Sequence, residues 1–250
     1  MKKSQKELLN WYLDLGVEYF LEENLLSKYS SHDSNYDNSV TTKINECNIL
    51  SKDLSRKLAT KCFSLKELKE EIEKFDKIDL KKGATNVVFA DGNPTSDFML
   101  IGEAPGINED KYGIPFCGLS GKLLDNILSS IYLNRSNYYI TNTVFWRPPG
   151  NRRPTSEEID ICRPFVEKHI SLVRPKVIIL VGSTAVESLL SLKTPMAHIR
   201  KQNFKYTNQY LSNEIDTFVI FHPSYLLRQP SKKKLMWEDI QRIYSFYKKI

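Results

Sequence analysis

Cysteine, glycine, proline and long apolar runs are all scarce in this chain of 250 residues. The four cysteines, Cys47, Cys62, Cys117 and Cys162, stand far apart and form no C-x-x-C pair. That argues against a close-paired metal ribbon and, without a secretory leader, against a disulfide scaffold. Ten glycines and eleven prolines are too few for a collagenous or low-complexity chain. No apolar stretch approaches the roughly 20 residues of a spanning helix. The opening Met1-Lys2-Lys3-Ser4-Gln5-Lys6-Glu7 leads into mixed charge rather than a signal core. A soluble, cytoplasmic protein with no membrane partner is therefore expected. Neither sign of charge dominates: 36 Lys and Arg face 30 Asp and Glu, a net +6. That balance suits a nucleic-acid partner without demanding one.

What is present divides the chain. Residues 1–50 read as an N-terminal extension. Gln5–Leu26 carries apolar residues at helical spacing, and the Ser/Asn/Asp-rich stretch Ser27–Asn45 reads as a mobile linker. Nothing in those residues decides whether the extension docks a protein partner or covers the main domain. Residues 51–250 read as one compact domain. It opens with helical periodicity over Leu50–Phe75 and closes with an amphipathic helix at Met236–Tyr247. Between them lie four short apolar runs, Phe98–Gly102, Tyr138–Asn142, Val177–Gly182 and Thr217–His222, separated by helical segments at Leu119–Ile131, Ser156–Val173 and Ser183–Leu192. Continuous apolar strands alternating with helices predict an α/β fold: a three-layer αβα sandwich around a mainly parallel four-stranded sheet.

In such a sheet ligands bind beyond the carboxyl ends of the strands. The residues that follow the four runs are therefore the candidates. They offer carboxylates (Glu103, Glu109, Asp110), an amide (Asn142), an aromatic ring (Phe116), helix starts (Ser120-Gly121 and Ser183) and a histidine (His222). Asn142 can present both a donor and an acceptor, and the set suits a pocket for a polar planar ring beside a phosphate backbone. Backbone N–H groups at Ser120, Gly121 and Ser183 can receive phosphates. Arg228 and Lys232–Lys234 extend a basic edge.

Gly102-Glu103-Ala104-Pro105-Gly106 with Glu109-Asp110, Pro115-Phe116-x-Gly118-x-Ser120-Gly121, Ile140-Thr141-Asn142, Arg147-Pro148-Pro149-x-Asn151-Arg152 and His222-Pro223-Ser224-Tyr225-Leu226-Leu227-Arg228 together resemble the family 4 uracil-DNA glycosylases. The match runs in order from about Thr85 to the C-terminus. The resemblance implies a DNA repair enzyme, monomeric, that flips deoxyuridine out of single- or double-stranded DNA and hydrolyses its N-glycosidic bond. It implies that His222 bonds the uracil carbonyl oxygen as negative charge builds, that Asn142 reads the base, and that Phe116 stacks on it beside Gly102 and Ala104. Related families place an Asp where Ala104 stands. Glu109 is then expected to handle the attacking water, with Glu103 as second candidate and Asp110 structural. Leu226 is expected to fill the gap left by the flipped base, flanked by Leu227 and Arg228, with Ser120, Gly121, Ser183 and Ser224 on the phosphates.

The sequence also departs from that family. Many members hold a four-iron–four-sulfur cluster on four cysteines. Here only Cys162 matches a ligand position. Trp146 stands before Arg147, and no cysteine lies around Ile78. One thiolate cannot hold a cluster that needs four, so no cofactor and no metal are expected. Two rivals remain at this stage: a glycosylase for another deaminated base such as hypoxanthine, and a non-catalytic DNA- or partner-binding module on the same fold. A covalent role for His198 lacks the basic run expected beside it.

Overall fold

The structure, a computed structural model, describes residues 38–248, with side chains described from Asn48 onward. The expected helix at Gln5–Leu26, residues 27–37 of the expected linker and the role of the extension lie outside the described residues. A helix α1, Asn38–Lys61, begins inside the stretch expected as linker. It stops where Cys62-Phe63-Ser64 intervenes, so the expected single helix over Leu50–Phe75 is two. The second, α2 (Leu65–Lys74), starts from a Ser64 cap. The Glu67 N–H donates to Ser64 Oγ, and the Glu67 carboxylate accepts the Phe63 N–H. The Ser64 cap is a helix-start signal that periodicity alone passes over.

A short helix α3 (Leu80–Gly83) leads into strand β1 (Asp91–Gly92) and then β2 (Phe98–Gly102). Helices α4 (Ile107–Tyr112) and α5 (Leu119–Ser129) precede β3 (Tyr139–Asn142). Then come α6 (Ser156–Val173), β4 (Val177–Val181), α7 (Ser183–Leu190) and α8 (Met196–Ile199). Strands β5 (Phe204–Tyr206) and β6 (Ile215–Ile220), then helices α9 (Pro223–Arg228) and α10 (Lys233–Tyr247), complete the chain. The sheet order is β1-β3-β2-β4-β6-β5. The four expected strands are the four inner ones, all parallel; β1 and β5 add short antiparallel edges.

Alternation along the strands fills both faces. Phe98 and Leu100 join one core with Leu124 of α5 and Ile240 of α10. Met99 and Ile101 join the other with Phe165 and Ile170 of α6 and Val186 of α7. Both faces of the parallel strands are covered, which is why these strands read as unbroken apolar runs. Register then decides the site. Gly102 pairs with Asn142 across β2 and β3, so the two motifs that end those strands meet directly.

Candidate active site

At the end of β2, Gly102 leaves room that no other residue would. A Cβ there would lie 2.3 Å from Phe116 Cζ and 2.6 Å from Asn142 Oδ1. The Phe116 ring edge and the Asn142 carboxamide thus converge on bare backbone. Asn142 is 1 % exposed, and neither its Oδ1 nor its Nδ2 has a hydrogen-bond partner among the described residues. A buried, unpaired carboxamide costs a folded protein on the order of 1–3 kcal/mol per orphaned group. Such a cost is retained where a ligand supplies the missing partners.

Phe116 is held from behind. Its backbone is left-handed (φ 53°). Arg135 donates to the Phe116 carbonyl at 2.9 Å and to that of Pro115 at 3.2 Å, and it is itself paired with Asp91 and Asp125. The first turn of α5 presses on the same carbonyl: a Cβ on Gly121 would stand 1.6 Å from Phe116 O. The Pro-Phe-x-Gly-x-Ser-Gly motif is therefore a device for seating one ring.

His222 caps α9. Its Nδ1 accepts the Ser224 N–H at 3.2 Å and lies 2.8 Å from Ser224 Oγ. Accepting at Nδ1 leaves the proton on Nε2. Burial holds the imidazole below its usual range. Glu103 and Glu109 pull it upward and Arg228 pushes it down, without reversing the burial effect. His222 is thus a neutral donor, with its ring 5.8 Å from that of Phe116. Two cavities meet at this wall. One, of about 480 Å³, is lined by Phe116, Glu109, Ser120 and Leu227. The other, of about 610 Å³, is lined by Ser183, Met196, Tyr225 and Lys232. Glu103, Ala104, Asn151, His222, Ser224 and Arg228 line both.

The three carboxylates have different surroundings. Glu109 accepts one N–H on each oxygen, from Gly106 at 3.1 Å and from Gly118 at 2.9 Å, and so ties two turns together. Glu103 accepts the Thr184 hydroxyl on Oε2 at 2.6 Å, while Thr143 Oγ1 donates to its carbonyl at 2.6 Å. Asp110 is buried and accepts the N–H groups of Thr85 and Asn86. It braces the entering chain and lines neither cavity.

Most expected residues converge; Gly102 and Asn142 lie behind the Phe116 ring and line neither cavity, and Leu226 and Gly121 are placed otherwise. Leu226 is 0 % exposed and packs in the core with Phe221 and Met236, whereas Leu227 is 45 % exposed on the cavity rim. The expectation that Leu226 points outward is corrected: in α9, a helix of six residues, Leu226 faces the core. Gly121 is buried behind Phe116 rather than facing a cavity. His198 is exposed and lines neither cavity. The sequence reading missed Thr184, Asn151 and Arg152 as site residues. The last two lie within the Arg-Pro-Pro motif already noted. Thr184 carries no local signal, because its partner is 81 positions away.

The region where the family resemblance implies a cluster was tested against the residues present. Cys162 is 0 % exposed, and it shares one apolar core with Ile78, Phe75, Trp146 and Phe165. The Phe75 and Phe165 rings meet edge-on at 5.3 Å. Burial pushes the Cys162 thiol far up, away from the thiolate a metal needs. Among the described residues no group of three or more His, Cys, Asp or Glu side chains is placed to hold a metal ion. This donor set does not fit an iron–sulfur cluster.

Comparison with known proteins agrees with the geometry. The family model described as "Uracil DNA glycosylase superfamily" matches residues 89–241. A "Type-4 uracil-DNA glycosylase" of Sulfurisphaera tokodaii is 38 % identical over 183 residues, covering 72 % of this chain and 83 % of that one. Its namesake from Thermotoga maritima is 37 % identical, covering 72 % and 93 %. That of Archaeoglobus fulgidus is 34 % identical, covering 72 % and 92 %. With the matched region taking in the glycine-seated ring, the orphaned amide and the capping histidine, the chain belongs to the uracil-DNA glycosylase superfamily.

Proposed function

We propose that this chain is a uracil-DNA glycosylase: it takes deoxyuridine out of DNA and hydrolyses its N-glycosidic bond, releasing uracil and leaving an abasic site. The observation that carries this reading is the Asn142 carboxamide, buried with both polar atoms unpaired among the described residues, beside Gly102 and the Phe116 ring edge. Uracil offers N3–H as donor and O4 as acceptor, the complement of one carboxamide. Cytosine reverses both, leaving two buried mismatches, and such mismatches discriminate strongly. Phe116 supplies the stacking face.

Bond cleavage puts negative charge on the departing uracil and positive charge on the sugar. The neutral His222 Nε2–H donates to the uracil carbonyl where the anion grows, a preorganised donor of the oxyanion-hole kind. Glu109, fixed by two N–H groups, retains lone pairs for the attacking water. The water oxygen bonds to C1′ as the C1′–N1 pair leaves with uracil, and the released proton passes through the carboxylate to solvent. Glu103 adds a second negative charge beside the cationic sugar. Both carboxylate roles are read from position. Glu109→Gln and Glu103→Gln each lower the single-turnover rate by about 10- to 100-fold with little change in binding; an undiminished rate removes the role from that residue.

On the DNA itself, Leu227 is the wedge, and Ser120, Ser183, Ser224 and Arg228 meet phosphates around the two cavities. No helix among the described residues is long and apolar enough to cross a membrane. We read the protein as a cytoplasmic monomer that works without a metal. The test is release of uracil from a uracil-containing oligonucleotide, with Asn142→Asp as partner. Wild type cleaves uracil and spares cytosine and hypoxanthine, while Asn142→Asp loses the uracil activity. An inert wild type overturns the reading, and preferred release of hypoxanthine replaces its substrate.

A further inference from the structure

The turn between β4 and α7 touches both sides of the site at once. Gly182, at φ 96°, lets the turn pass so close that a Cβ there would sit 3.0 Å from His222 Cβ. Two residues on, Thr184 reaches Glu103 at 2.6 Å. Thr184 is 1 % exposed. A threonine in a helix ordinarily returns its hydroxyl to a carbonyl one turn back or caps its own helix start. This hydroxyl makes neither bond among the described residues and spends its hydrogen on a carboxylate from another strand end. The Glu103 backbone is fixed independently by Thr143, so Thr184 governs only where the carboxylate points. Ala104 next to it is too small to do so. The second Glu103 oxygen makes no hydrogen bond among the described residues, and Glu103 lines both cavities.

We infer that Thr184 is a positioning residue for the glycosylase reaction: its hydroxyl aims one oxygen of Glu103 away so that the other faces the reacting sugar, and the shared turn fixes the spacing between that charge and His222. The inference rests on the uracil-excision reading and deepens it. A hydroxyl bonded to a charged carboxylate is among the stronger neutral-to-ion contacts, and a small misplacement of a catalytic group is costly.

Thr184→Val keeps the shape and removes the donor. In single-turnover release of uracil from an oligonucleotide, it lowers the maximal rate about tenfold while the half-saturating enzyme concentration stays at the wild-type value. Thr184→Ser restores the rate to within about threefold. In a Glu103→Gln background, Thr184→Val adds less than about twofold. Ser188→Ala, one turn further on the same helix and equally buried, leaves the rate unchanged. Should Thr184→Val not fold, as read by its melting curve, Thr184→Ala carries the same expectations. Wild-type rates in both donor-less variants, a loss of equal size in the Glu103→Gln background, or a change confined to half-saturation overturns the inference while wild-type uracil release stands. An inert wild type, seen before any variant is compared, overturns the parent reading and this inference with it.

Discussion

The strand-end edge and the flank around Trp146 belong to the same motif-bearing chain, yet they have been treated in opposite ways. At the edge, polar groups are kept under cost: Asn142 is buried and unpaired, and Glu103, Glu109 and His222 are crowded round two cavities. At the flank, the positions that the family resemblance assigns to cluster ligands hold Trp146 and the neighbourhood of Ile78, and Cys162 is sealed among them. Polar groups crowd the strand-end edge, and apolar packing fills the flank. The two regions are therefore separable. Damage to the flank should cost stability and spare the chemistry, and damage to the edge should do the reverse.

The largest effect falls on the flank. Trp146→Ala costs about 3–5 kcal/mol of folding free energy, read from denaturant unfolding, while the fraction that stays folded releases uracil at the wild-type rate. A rate loss matching the stability loss would break the comparison. The reciprocal case is His222→Ala, which lowers the single-turnover rate by about 10²- to 10³-fold and moves the unfolding midpoint little.

A pH dependence sharpens the contrast. His169 lies at the flank, stacked on Phe89 at 4.4 Å and bonded to the Tyr139 hydroxyl at 2.9 Å. Burial pushes its imidazole down to about 3. The unfolded chain takes up this proton near pH 6.5, where the folded state refuses it. The stability it contributes is full above that pH. It is lost as pH falls toward 3, at no more than about 1.4 kcal/mol per unit. His169→Gln flattens the acid side of the stability profile; an unchanged slope would assign it to carboxylates elsewhere. The smallest effect belongs to the rim. Leu227→Ala slows release from duplex DNA by a few-fold, of the order expected for one partly exposed apolar contact, and leaves single-stranded substrate unaffected. Equal loss on both substrates would remove the wedge role.

How much of this was legible in the sequence follows from which forces are local. The expected limits Ser156–Val173 coincide with the observed ones, where a reciprocal Thr155–Glu158 cap fixes the helix start. The inner strands were found because burial on both faces leaves no polar alternation to confuse them. The edge strands β1 and β5 were not, since two or three residues carry no period. The rule that ligands gather at strand ends singles out Asn142, Phe116 and His222 as candidates, and the structure sets the Phe116 ring beside both of the others. The choice between Leu226 and Leu227 is not legible, because a six-residue helix is too short to show a stripe, and only the covering core decides which side is inward. Cys162 was recognised as isolated, but its sealed surroundings come from residues tens of positions away.

The contact between Gly121 and the Phe116 carbonyl limits how this pocket can diverge. The Phe116 ring is seated by the Gly121 backbone on one side and by the Arg135 guanidinium on the other, so a side chain added at Gly121 would collide with the carbonyl that Arg135 holds. A descendant enzyme that accepts a bulkier base must trim the ring or remodel the mouth near Ala104, and the seat itself is inherited unchanged.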